Sequence, residues 1–198
     1  MNEQEILAAT RAFVQGQMAQ NDVGHDYLHV ERVLALAENI AATQPACDLF
    51  VVRMVALLHD IDDYKLRKGE HTLSDFLETL PIDAAQRAQI GLCTGYISYS
   101  KYPKPDPTIP LEARIVQDAD RLDALGAIGI ARTFAYTGAK QRPFYGQCEG
   151  TTLDHFSEKL CRLSDSLNTP RAKEIARQRQ AYLNEYVEQF YAELNLKR

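Results

Sequence analysis

The stretch DLFVVRMVALLHD, residues 48–60, decides how this chain is read. The ten residues after Asp48 are apolar apart from Arg53. A run of that length, rich in Leu and Met, fits a central buried helix better than a buried strand. It ends on His59 and Asp60, and Asp62 and Asp63 follow at once. Burying an imidazole and a carboxylate costs several kcal/mol unless they are paired or bound to a metal. His and Asp are ligand types suited to Mn, Fe, Co, Ni or Zn.

Working outward, helical periodicity dominates. The spacing of Ile6, Leu7, Phe13, Val14 and Met18 predicts a helix from about Glu3 to Ala19. A second runs from about Asp26 to Thr43, with Pro45 at or just beyond its end. HTLSDF, from His71, looks like a helix start. Asp83 reads as an N-cap for a helix reaching Ile97. The loop YPKPDPTIP, residues 102–110, holds four prolines and is the only plausible hinge. A long helix restarts near Leu111, and Gly126 and Gly129 break or bend it before a segment closing at Gly138. After a loop from Ala139 to Gly150, TTLD (151–154) has capping-box spacing and opens a helix through Leu160 and Leu163. Thr169 and Pro170 form an N-cap and N1 pair for a last helix to about Leu194. No strand pattern is evident. The expectation is an all-α, single-domain helical bundle of about eight helices over residues 1–198.

The bulk numbers fit that picture. The chain has 198 residues, 45% hydrophobic and 25% charged, with a formal net charge of -5. That length suits one domain with a sizeable core. An acidic balance argues against general nucleic-acid binding, which needs basic stripes. It leaves small phosphorylated substrates open, because a metal or a few cations reverse the sign of one pocket. No secretory signal is recognised at the N-terminus, and no run approaches the roughly 20 apolar residues of a membrane span. The four cysteines (Cys47, Cys93, Cys148, Cys161) are scattered, which speaks for reduced thiols. A cytoplasmic protein is expected. Its oligomeric state stays open, with a homodimer as one option.

Three places carry chemistry: GHDYLHVERV (24–33), LLHDIDDYK (57–65) and IVQDADRLDALGAIG (115–129). A lone HD dipeptide means little. The order His, His-Asp, Asp, each in a helical context, is far more specific. Facing helices of a bundle build metal sites from such residues.

The chain resembles the HD superfamily of metal-dependent phosphohydrolases, whose signature is H...HD...D, and in particular its small stand-alone bacterial members. HVERV (29–33), LLHD (57–60) and DADRLDA (118–124) match. The similarity covers about residues 24–130, the metal-site core, and continues through AIGIARTF and HFSEKL; helices at about 151–195 complete the domain. The resemblance implies that His29, His59, Asp60 and Asp120 hold one divalent ion (Mn, Co, Ni, Fe, Mg or Zn). It implies hydrolysis of a small phosphorylated substrate, most naturally a nucleotide, of nucleoside triphosphate pyrophosphohydrolase or 5'-nucleotidase type. No GYP motif follows the HD pair, which disfavours the cyclic-dinucleotide branch. The extra histidines of a second iron site are not evident, so one ion is expected. The acidic pair Asp62-Asp63 sits closer to the HD than in alarmone hydrolases. The competing reading is a metal-stabilised, ligand-sensing module without turnover.

The remaining candidates each have an ordinary alternative. Lys65 is a phosphate contact or a surface lysine. Arg32 binds phosphate or pairs with Glu31, Asp62 or Asp123; Arg121 is a similarly balanced substrate candidate. His25 is a candidate phosphate-binding group, or one that supports a metal ligand, and Asp26 beside it is a helix cap. Asp62 and Asp63 are the candidate general bases. Asp118 points about 200° away from Asp120 on a helix, so both cannot easily bind one ion. The tyrosines and phenylalanines from Tyr96 to Tyr145 are core or rim, with a base-stacking residue as the sharper option, and the basic loop 139–146 either covers the site or is an ordinary exposed loop.

Overall fold

In the computed structural model, which describes residues 1–18, 26–62, 72–146, 150–158 and 160–194, the described residues are helical with no strand. In order they form α1 (Glu3–Met18), α2 (Tyr27–Ala41), α3 (Leu49–Leu58), α4 (Leu73–Thr79), α5 (Ala84–Thr94), α6 (Leu111–Asp123), α7 (Gly126–Ala139), α8 (Thr152–Glu158), a 3-10 segment (Leu160–Ser166) and α9 (Pro170–Leu194). Among the described residues, the helix expected to restart near Leu111 and bend at the glycines is two helices, α6 and α7, and the helix start at HTLSDF is the short α4 with its own Thr72–Asp75 capping box.

The apolar stretch is the centre of the fold. Eight of the ten residues of α3 are buried, and α3 packs against α1, α2, α5 and α6. Each such side chain contributes about 1.5–3 kcal/mol when fully buried. Arg53, the one charged residue of α3, sits at its edge, where Nε donates to Glu38 Oε1 at 2.7 Å. The end of this helix is therefore delivered, rigidly, into the middle of the α2, α3 and α6 group.

The expected caps form: Asp26 accepts from the His29 backbone and Asp83 from Gln86, and Asp48, which the sequence reading did not single out, caps α3 by accepting from Val51. Thr151 and Asp154 make a reciprocal capping box, and Thr169 Oγ1 accepts from the Ala172 backbone as α9 begins. One segment differs from expectation: residues 160–166 wind as 3-10 rather than α-helix. Here tertiary bonds override local preference, because Arg121 binds the Ser166 carbonyl and Asp118 takes the Asn168 and Thr169 backbone amides, holding this stretch against α6.

Two glycines make the sharp turn from α6 into α7. Gly126 has φ +72°, a left-handed conformation that other residues rarely adopt. At Gly129 an added Cβ would lie 2.2 Å from the Ala124 carbonyl oxygen. This close approach folds α7 back over the end of α6. No helix among the described residues is long and apolar enough to cross a membrane.

Candidate metal centre

Three elements converge on one point. His29 comes from the first turn of α2, His59 caps α3 with Asp60 next to it, and Asp120 lies in α6. The two imidazoles approach edge-on, with Nε2 of His59 3.3 Å from Nε2 of His29. Asp60 Oδ2 lies 3.7 Å and Asp120 Oδ1 3.5 Å from His29 Nε2, and Asp60 Oδ1 is 3.5 Å from His59 Nε2. Ligand atoms of His29, His59 and Asp120 all fall within 4.8 Å of one another. His29 is fully buried and His59 and Asp60 nearly so, while the Asp120 side chain is 30% exposed. The cluster therefore opens to solvent on the Asp120 side.

The far ring nitrogens explain what this geometry is for. His29 Nδ1 lies 2.8 Å from Asp123 Oδ2, and His59 Nδ1 lies 2.8 Å from the Ala56 carbonyl oxygen. Both partners are acceptors, so both Nδ1 atoms carry the ring proton. In the neutral rings the two Nε2 atoms then face each other as lone pairs, flanked by two carboxylates. The two Nε2 lone pairs and an Asp120 oxygen, all within 4.8 Å of one another and with Asp60 alongside, could hold a metal ion between them. Spacings of 3.3–3.7 Å suit donors sharing one ion at about 2.1 Å.

Asp123 is the residue that sequence reasoning undervalued. It was foreseen as one salt-bridge option for Arg32, but not as the partner of His29. The structure gives it both, plus Arg132. Arg32 Nε donates to Oδ1 at 2.7 Å and its Nη2 to Oδ2 at 3.1 Å, while Arg132 Nη1 donates to Oδ2 at 2.6 Å. Burial alone would raise the Asp123 carboxyl. Hydrogen bonds from His29 and Arg32 and the charge of Arg132 outweigh that and hold it well below the usual carboxylate range. Its three-residue spacing from Asp120 puts both on one side of α6, a signal that was available. Arg132 had none, because it reaches Asp123 only through the turn at Gly126.

Other candidates fall elsewhere. The expectation that Arg121 binds substrate is corrected. Its guanidinium is buried, donates to the Ser166 and Tyr102 carbonyl oxygens and lies over the Tyr99 ring at 5.6 Å. It braces α6 against the 3-10 segment and the proline-rich loop. Asp118, on the opposite side of α6 from Asp120 as its spacing predicts, accepts from the backbone and side chains of Asn168 and Thr169. Asp62 is exposed, and its Oδ1 accepts from the Leu73 backbone where α4 begins, at 3.1 Å. Arg32 takes the salt-bridge alternative, to Asp123. His25, Asp63, Lys65 and His71 lie outside the described residues.

The HD domain family matches residues 26–125, the stretch that contains all four converging side chains. Bacillus subtilis YpgQ is 36% identical over 194 residues, spanning 96% of this chain and 94% of that protein. A crystal structure of Bacillus subtilis YpgQ in complex with ADP is similar with a TM-score of 0.85 at 34% identity, covering 99% of this chain and 98% of that one. An HD-superfamily hydrolase from Bacillus thuringiensis gives a TM-score of 0.80 at 37% identity, over 99% and 100% of the two chains. With its motif residues gathered at one point and these likenesses running end to end, the chain belongs to the HD-domain family.

Proposed function

We propose that this protein is a metal-dependent phosphohydrolase acting on a nucleotide or another small phosphorylated metabolite, as a nucleoside triphosphate pyrophosphohydrolase or a 5'-nucleotidase. The observation that carries this reading is the inward-facing set of four donors on His29, His59, Asp60 and Asp120, closed behind and open toward solvent at Asp120. These residues would hold one divalent ion. When bound, such an ion supplies Lewis acidity toward phosphoryl oxygens and acidifies water. Phosphoryl transfer otherwise asks mainly for positioning and charge neutralisation. This chain meets the first demand with ligands fixed at helix ends and by hydrogen bonds to both Nδ1 atoms. The ADP held by the Bacillus subtilis relative supports a nucleotide as the ligand class. We take residues 1–198 to work as one domain, with α7 to α9 bracing the α2, α3 and α6 core.

The test is a metal-stripped wild type beside Asp60→Ala, screened for orthophosphate and pyrophosphate release. The panel holds nucleoside tri-, di- and monophosphates, guanosine tetraphosphate and an aryl phosphate, with Mn, Co, Ni, Fe, Mg or Zn restored. Turnover that returns with metal and is lost in Asp60→Ala is the expected result, and the product names the bond cleaved. Tight metal binding without turnover on any substrate would favour a sensing module. Failure to bind any ion would remove the ligand assignment itself.

A further inference from the structure

We propose that Asp123 is a positioning residue that sets how strongly His29 binds the ion, and that Arg32 and Arg132 screen it from water while drawing on its charge. The inference rests on the metal-site reading above and deepens it. Asp123 closes α6, Arg32 comes from α2 and Arg132 from α7, so three helices meet at one carboxylate. The Asp123 side chain is 2% exposed, against 32% for Arg32 and 20% for Arg132. The arginines thus screen it from water on one side while His29 covers it on the other.

An arginine clasp alone would need nothing from His29. Yet Oδ2, which receives Arg132 at 2.6 Å, also lies 2.8 Å from His29 Nδ1. A carboxylate has no proton to give, so His29 must carry its proton on Nδ1 and present the Nε2 lone pair to the site. His59 is held in the same tautomer by a neutral backbone carbonyl. The two imidazoles are therefore unequal: the one backed by a full negative charge is the stronger donor. Carboxylate partners of metal-binding histidines typically matter by about 10–100-fold in metal affinity. The arginines pull the other way, since each shares the charge that Asp123 directs at His29.

Opposite signs follow for two substitutions, and this separates positioning from simple structural support. Metal-stripped wild type, Asp123→Asn and Arg132→Gln would be titrated with Mn and Co by calorimetry, with circular dichroism confirming that each metal-free form is folded. The amide of Asp123→Asn can donate to Nδ1, favouring the wrong tautomer. Its affinity should drop about 10–100-fold. Arg132→Gln should lose thermal stability yet bind metal at least as tightly as wild type. Equal affinity of Asp123→Asn and wild type, or equal weakening of both variants, overturns the proposal. A wild type that binds neither ion defeats the metal-site reading instead. If Asp123→Asn does not fold, nitrogen NMR of histidine-labelled, metal-free wild type decides, at a pH where the rings are neutral and with His29→Gln for assignment. A His29 proton on Nδ1 supports the proposal, and one on Nε2 overturns it.

Discussion

Gly129→Ala is the substitution whose effect follows most directly from the geometry. The new Cβ would sit 2.2 Å from the Ala124 carbonyl oxygen and 2.5 Å from its carbon. Ordinary contact begins near 3.4 Å, so about 1.2 Å of movement is required. The obstacle is backbone, which has no rotamer to escape into. Overpacking of this kind costs about 1–3 kcal/mol, occasionally more. Replacing a helical glycine by alanine returns up to about 1 kcal/mol. A net loss of about 2 kcal/mol is expected because the clash is with main chain. For a chain of this size that lowers Tm by about 4–8 °C. The movement must also shift α7 relative to α6, which pulls Arg132 away from Asp123. Differential scanning calorimetry of the metal-free variant measures the first effect, and crystallography of the variant shows the second. An unchanged or raised Tm would refute the reasoning, because it would mean that the α6–α7 turn relaxes without cost.

The other predictions concern metal, acid and thiols. Adding a divalent ion to about 100 times its Kd should stabilise the stripped wild type by about 2.7 kcal/mol, raising Tm by about 5–11 °C, whereas Asp120→Ala should show little of this; a flat response to all six candidate ions would contradict the site. Asp123 titrates below its unfolded value of about 3.9, so its contribution to stability is complete above that pH and is lost as pH falls through the lower folded value. The stability gap between wild type and Asp123→Asn should accordingly be widest near neutrality and narrow on acidification below about pH 4; a gap that widens in acid would reverse the sign. Burial pushes the Cys93 thiol up to about 11. With Cys47, Cys148 and Cys161 replaced by Ser, the remaining thiol should resist iodoacetamide at pH about 8 until denaturant is added; rapid labelling of the native protein would show that Cys93 is reachable and ionised.

What the sequence made legible was whatever depends on short-range pattern. The α3 run announced a buried helix because ten successive residues with one charge leave little room for another structure. Asp83, Thr151 with Asp154, and Thr169 with Pro170 announced helix starts because capping is a matter of three or four residues. His29, His59, Asp60 and Asp120 stood out because each lies in a motif with a recognisable neighbourhood. Arg121 was the ambiguous neighbour: adjacent to Asp120 in sequence, it was balanced between a substrate contact and an ordinary pairing, yet successive helical residues diverge by about 100°, and this one is buried against the Ser166 and Tyr102 carbonyls. The contact between His29 and Asp123 spans 94 positions and obeys no local rule. Arg132 is more distant from inference still, since its place depends on the glycine turn.

These particulars make α6 the element on which the site and the rest of the fold depend together. Its three aspartates are chemically alike and have separate tasks because 100° per residue separates them. Asp120 faces the two imidazoles at the open side of the cluster. Asp123, one turn later on the same side, backs His29 and gathers arginines from α2 and α7. Asp118 points the other way and receives the Asn168 and Thr169 amides that start α9. The Arg179 guanidinium of α9 then donates to the Leu122 carbonyl at 2.6 Å, returning to α6 between Asp120 and Asp123. The C-terminal helices lie beyond the matched family segment, yet they fix the helix that carries one ligand and the support of another. A helix so tied through its C-terminal half cannot shift there by half an ångström without moving a donor, and metal affinity falls when donors leave their positions by that much. It follows that variants loosening α9, far from any ligand, should weaken metal binding before they unfold the protein.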